Sequence, residues 1–136
     1  MIRREASCHY NAVMGFEIST THQFSAAHQL KLYDGTLEPL HGHNWVVRVT
    51  VSRQDVDAMG VVMDFHELER LVNAIVGRLH NRHLNDVPPF NGELNPTAEH
   101  VALHIGRSLN DRLPDGVRLL RIEVWETATC RAVYRP

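Results

Sequence analysis

Cysteine is scarce in this 136-residue chain: there are two, Cys8 and Cys130, far apart and in no CxxC pair. That excludes a cysteine zinc site and a disulfide framework, and it makes a reducing cytoplasm the expected compartment. No run approaches the roughly 18 consecutive apolar residues that a membrane-spanning helix needs. The chain shows no charged-then-apolar leader ending in small residues, so neither membrane insertion nor secretion is expected. Basic blocks are missing as well. A formal charge of −2 argues against non-specific nucleic-acid binding. There is no internal repeat and no low-complexity segment. What the chain does have is ten histidines, and an apolar share of 43%, enough to bury the core of one domain.

The polar stretch 1–14 reads as an N-terminal extension, and 15–136 as a single domain. Phe16, Ile18, Thr20, His22, Phe24 and Ala26 alternate with polar neighbours, and His28 continues the parity; this predicts a strand. Alternation resumes with His41, His43, Trp45, Val47, Val49 and Val51. Asp64 to Glu67 resembles a capping box, with Asp64 capping and Glu67 reaching back. Phe65, Leu68, Leu71, Val72, Ile75 and Leu79 then follow at helical spacing, with His66 exposed in the first turn. Thr97-Ala98-Glu99 opens a second helix whose stripe is Ala98, Val101, Ala102, Ile105 and Leu109. Leu119 to Glu126 and Cys130 to Arg135 read as a hairpin. The order ββααββ predicts an α+β domain, a four-stranded antiparallel sheet with two helices on one face.

Strand side chains repeat with period two, so His41 and His43 point the same way. A hairpin brings the end of the first strand, and with it His28, beside them. Three neutral imidazoles around one cation leave a position open for water or substrate, as in catalytic zinc sites. Taken alone, His-Gly-His also suits two partly exposed strand residues. A cupin pattern would need a glutamate where Val47 and Arg48 stand, and a helical His-Glu-x-x-His motif fails at Arg70.

The runs "FSAAHQL", "LHGHNW", "MDFHELE", "LNPTAEHVA" and "VWETATCRAVY" occur in an order that resembles the 6-pyruvoyltetrahydropterin synthase / 6-carboxytetrahydropterin synthase family, over about Phe16 to Tyr134. The resemblance implies the tunnelling fold, in which sheets join across subunits into a barrel, giving a homo-oligomeric trimer or hexamer. It implies Zn2+ on three histidines, here His28, His41 and His43, in agreement with the spacing. It implies a small-molecule pterin substrate, 7,8-dihydroneopterin triphosphate. The pterin head would be held by Glu126, with Thr97 and Glu99 lining its pocket. A buried carboxylate can accept two N–H bonds from the guanidine-like edge of a pterin.

Two departures shape the expected reaction. The cysteine usual before His-Gly-His is absent, and Glu38 stands three residues before His41. This resembles a subgroup that cleaves the side chain to 6-hydroxymethyl-7,8-dihydropterin, with Glu38 as general base. The usual Asp-His pair after the first helix is replaced by His80 and Asn81, so His80 and His83 become the acid–base candidates. The reading is a zinc-dependent pterin lyase with Glu38, His80 and His83 as catalytic residues and no nucleic-acid or membrane partner. Synthesis of 6-carboxytetrahydropterin or 6-pyruvoyltetrahydropterin is the alternative within the family. A non-catalytic zinc- and pterin-binding homologue is the alternative outside enzymes.

Overall fold

The computed structural model describes residues 15–136; the expected extension at 1–14, with Cys8, lies outside the described residues. Strand β1 (Phe16–His28) pairs antiparallel with β2 (His41–Arg53) along its whole length, from Phe16 opposite Arg53 to His28 opposite His41. Opposed residues share a face, so Thr20, His22 and Phe24 stand across from Val49, Val47 and Trp45. Trp45, Val47, Val49 and Val51 are fully buried, and Phe24 stacks on Trp45 with ring centroids 5.8 Å apart. Strand β4 (Arg118–Thr127) continues the face through Ile122 and Val124, opposite Val49 and Val47. A bulge at Leu120 then lets Leu119, of the other parity, join the same core. Strand β5 (Cys130–Tyr134) closes the final hairpin.

Two helices cover this face. In α1 (Phe65–Val76) the buried stripe is Leu68, Leu71, Val72, Ile75 and Val76; in α2 (Ala98–Asn110) it is Val101, Ala102, Ile105 and Leu109, with Gly106 among them. Each helix starts at a side-chain cap. The Asp64 carboxylate accepts from the His66 N–H at 2.8 Å, and the Thr97 hydroxyl from the His100 N–H at 3.1 Å. Gly106 is tolerated in mid-helix because a Cβ there would meet the Tyr134 ring at 2.6 Å. Buried His22 is satisfied at both nitrogens, by Asn73 Oδ1 of α1 at 2.9 Å and Thr20 Oγ1 at 2.8 Å. No helix among the described residues is long and apolar enough to cross a membrane.

The architecture is α+β as the pattern predicts, with three corrections. The sheet has five strands rather than four and is mixed, in the order β3 (Arg82–His83), β1, β2, β4, β5. The added β3 runs parallel to β1, pairing Ala26 with Arg82 and Ala27 with His83. Helix α1 ends at Val76 and not near Leu79, although Leu79 stays in the core and Phe65 is exposed. Glu67 does not close a capping box. It makes two bonds to Arg70, at 2.7 and 3.0 Å, because a guanidinium fork offers a carboxylate more than one N–H does.

The core rests on the seam between α2 and the sheet. Ile105→Ala is expected to lower unfolding free energy by about 2–5 kcal/mol, measured by urea denaturation.

Candidate active site

The strand register sets His28 opposite His41 and Ala26 opposite His43, and alternation sends all three imidazoles to the helix-covered face. Ring centroids lie 4.6 Å apart for His28 and His41, 5.1 Å for His28 and His43, and 4.8 Å for His41 and His43. One ligand nitrogen from each lies within 4.8 Å of the other two. Trp45 forms the floor, its ring edge-on to His28 and His43 at 5.0 and 5.4 Å.

Two of the outer nitrogens are committed. His28 Nδ1–H donates to the Pro96 carbonyl at 2.8 Å, and His41 Nδ1–H donates to the Pro39 carbonyl at 2.9 Å. Carbonyl oxygens only accept, so each neutral ring keeps its proton on Nδ1 and presents a lone pair at Nε2. Those two Nε2 atoms lie 3.0 Å apart. Two acceptors cannot satisfy each other, whereas a cation satisfies both. His43 Nε2 is buried without any hydrogen-bond partner. Burial pushes the His43 pKa below its usual value and so favours the neutral, ligating form, although the Glu126 carboxylate pulls the other way. Three converging imidazole nitrogens, two of them set by outer hydrogen bonds, are a donor set that fits a zinc-type ion.

Two carboxylates flank the imidazoles. The β4–β5 register shifts after Trp125, leaving Glu126 as the extra residue of a bulge. Its Oε1 lies 3.2 Å from His28 Nε2 and 3.7 Å from His43 Nε2. Glu38 comes from the β1–β2 loop. Its Oε1 accepts from the Leu30 N–H at 3.1 Å and stands 3.8 Å from His41 Nε2. Glu126 also lines a cavity of about 340 Å³ with Thr97, Glu99, Leu30, Cys130 and Ala132. The expected pterin-binding residues Thr97, Glu99 and Glu126 are therefore brought together. Cys130 is an addition that its place in the hairpin did not signal. Hydrogen bonds from Thr127 and Thr129 hold its thiol pKa below the usual value.

His80 and His83 are not brought to this cluster within the chain. His80 Nδ1 accepts from the Ser25 N–H at 3.1 Å, and the Asn81 N–H donates to the Ser25 carbonyl at 2.7 Å. The two residues thus tie the chain entering β3 to the edge of β1. Asn81 adopts φ of 58°, a left-handed conformation that asparagine tolerates better than most residues. His83 Nδ1 lies 3.5 Å from Asp86 Oδ2.

Comparison with known proteins identifies the family of the chain. A family model described as 6-pyruvoyl tetrahydropterin synthase matches residues 17–136, and the chain belongs to that family. It is 37% identical over 103 residues to the dihydroneopterin monophosphate aldolase of Pyrococcus furiosus, covering 76% of this chain and 82% of that one. It is 33% identical over 132 residues to the 6-pyruvoyl tetrahydrobiopterin synthase of Homo sapiens, covering 88% and 90%. The fold matches the structure of Caenorhabditis elegans 6-pyruvoyl tetrahydropterin synthase with a TM-score of 0.77 at 24% identity, over 89% of this chain and 95% of that one.

The donor set predicts one Zn2+ per chain. His28→Ala is expected to weaken zinc binding by more than about 100-fold, beyond the usual cost of losing an outer-shell partner alone. Competition with a chromogenic chelator measures it.

Proposed function

We propose that the chain is a zinc-dependent pterin aldolase. It would take a phosphorylated 7,8-dihydroneopterin and release 6-hydroxymethyl-7,8-dihydropterin. The observation that carries this reading is Glu38, a carboxylate held by the Leu30 N–H and standing 3.8 Å from His41 Nε2, where the family resemblance leads one to expect a cysteine. The aldolase name of the Pyrococcus relative supports it.

In this reading Glu126 and Glu99 accept N–H bonds from the amino-pyrimidinone edge of the pterin, and Thr97 borders the same cavity. Zinc on His28, His41 and His43 supplies Lewis acidity toward the side-chain oxygens. Glu38 takes the proton of the hydroxyl on the second side-chain carbon. The bond between the first and second carbons breaks, and that oxygen becomes an aldehyde. The electron pair passes to the first carbon and the dihydropterin ring, and a proton returned to that carbon completes the hydroxymethyl group. The phosphorylated two-carbon aldehyde departs. One proton leaves and one returns, so no oxidant is needed.

The relative's name specifies a monophosphate, whereas the sequence resemblance implies a triphosphate substrate. Both are to be offered. His80 and His83 stand at the β3 edge of the sheet, and β5 forms the other edge. Unpaired edges favour joining to further copies of the chain, so acid–base help from either histidine would cross a subunit boundary. A trimer or hexamer is the proposed assembly. A second reading, a non-catalytic binding homologue, is favoured by one observation: His80 and Asn81 are occupied in backbone pairing.

Mass analysis of the pterin formed from zinc-loaded protein decides between these. The hydroxymethyl product is expected, and a carboxy or pyruvoyl product contradicts the aldolase. Bound but unchanged pterin supports the binding homologue. Glu38→Gln is expected to lower kcat by about 10²–10⁴-fold while zinc and pterin stay bound. Glu126→Gln is expected to raise the pterin Kd by about 10- to 100-fold, the cost of a lost charge-assisted hydrogen bond.

A further inference from the structure

We propose that Asn85 and Asn95 are positioning residues for the Glu38 carboxylate; the inference rests on the reading of Glu38 as general base. The segment after β1, Gln29 to Lys31, has no strand beside it on one edge. Two asparagine side chains take that place. The Gln29 N–H donates to Asn85 Oδ1 at 2.9 Å, and Asn85 Nδ2 donates to the Gln29 carbonyl at 2.8 Å. Two residues on, the Lys31 N–H donates to Asn95 Oδ1 at 2.8 Å, and Asn95 Nδ2 donates to the Lys31 carbonyl at 3.0 Å. Each amide offers one acceptor and a donor, the pair that a neighbouring strand's peptides would offer.

Successive peptide groups of an extended chain face opposite edges. Gln29 and Lys31 face the asparagines, which turns Leu30 the other way. There the Leu30 N–H holds Glu38 Oε1 at 3.1 Å, and the Glu38 N–H donates to the Leu30 carbonyl at 3.0 Å. Gln29 Nε2 adds a bond to the Glu38 carbonyl at 3.2 Å. The carboxylate is therefore set through one residue of backbone by two clasps on its far side. Asn85 belongs to the short turn Leu84–Asp86, and Asn95 precedes Pro96, whose carbonyl orients His28. One loop thus aligns both the expected base and an expected metal ligand.

The test uses Asn85→Ala and Asn95→Ala in the full chain, with Asn85→Asp retaining the acceptor but not the donor. The Leu30 amide is expected to lose protection from hydrogen exchange by about 10-fold or more in each alanine variant, read by NMR whether or not the protein turns over. The kcat is expected to fall about 10- to 100-fold, the scale of an ångström-level misplacement, with KM and zinc content within about 2-fold of the parent. Asn85→Asp is expected to fall between. In a Glu38→Gln background the same changes are expected to cost less than about 2-fold. Unchanged Leu30 protection overturns the inference, and so does an undiminished loss in that background. Lost Leu30 protection in a protein whose Glu38→Gln variant keeps full kcat supports the clasp and rejects only the reading of Glu38 as base.

Discussion

The antiparallel pairing of β1 with β2 is the constraint on which the rest of the molecule depends. One register fixes two things at once. It stacks Phe24 on Trp45 and aligns Thr20 and His22 with Val49 and Val47 under the helices. At the end of the same ladder it sets His28 against His41 and brings His43 alongside. A slip of one residue would send every one of these side chains to the other face, so core and imidazole cluster are lost together or kept together. Trp45 joins them physically, as a fully buried core residue and as the floor under two of the imidazoles.

Around that ladder, polar groups are placed by backbone more than by one another. Consecutive residues before and within the start of α2 carry much of this. Asn95 clasps Lys31, Pro96 accepts from His28, Thr97 caps the helix, and Thr97 and Glu99 line the cavity beside Glu126. The bulge at Glu126 and the loop that carries Glu38 bring carboxylates to the cluster from two separate segments. In the proposed reading, proton-accepting and pterin-reading roles are divided between these two groups, which share no hydrogen bond.

Much of this is legible in the residues alone. Period-two alternation marks β1 and β2 and shows that His41 and His43 share a face; apolar stripes mark α1 and α2. These signals are repeated many times over, which is why they survive tertiary context. What stays hidden has no repetition. The strand β3 is two residues long and cannot show a period. His80 and His83 invite an acid–base reading, yet a histidine ring and a left-handed asparagine also serve to complete a sheet edge, as His80 and Asn81 do here. Glu67 has a helix cap on one side and Arg70 on the other, and spacing alone does not choose between them. The asparagine clasps join residues 56 and 64 positions apart, so only the folded chain shows them.

The role of Glu126 decides whether the imidazole cluster is open or closed. At 3.2 Å from His28 Nε2 it could complete a four-ligand structural site, or it could remain outside the metal and read the pterin. A crystal structure of the zinc-loaded protein with 6-hydroxymethyl-7,8-dihydropterin bound settles this most directly. The account predicts zinc on His28, His41 and His43 alone among side chains, with the Glu126 carboxylate on the pterin in the cavity of Thr97 and Glu99. Glu126 ligating the zinc, with the pterin elsewhere or absent, would contradict it.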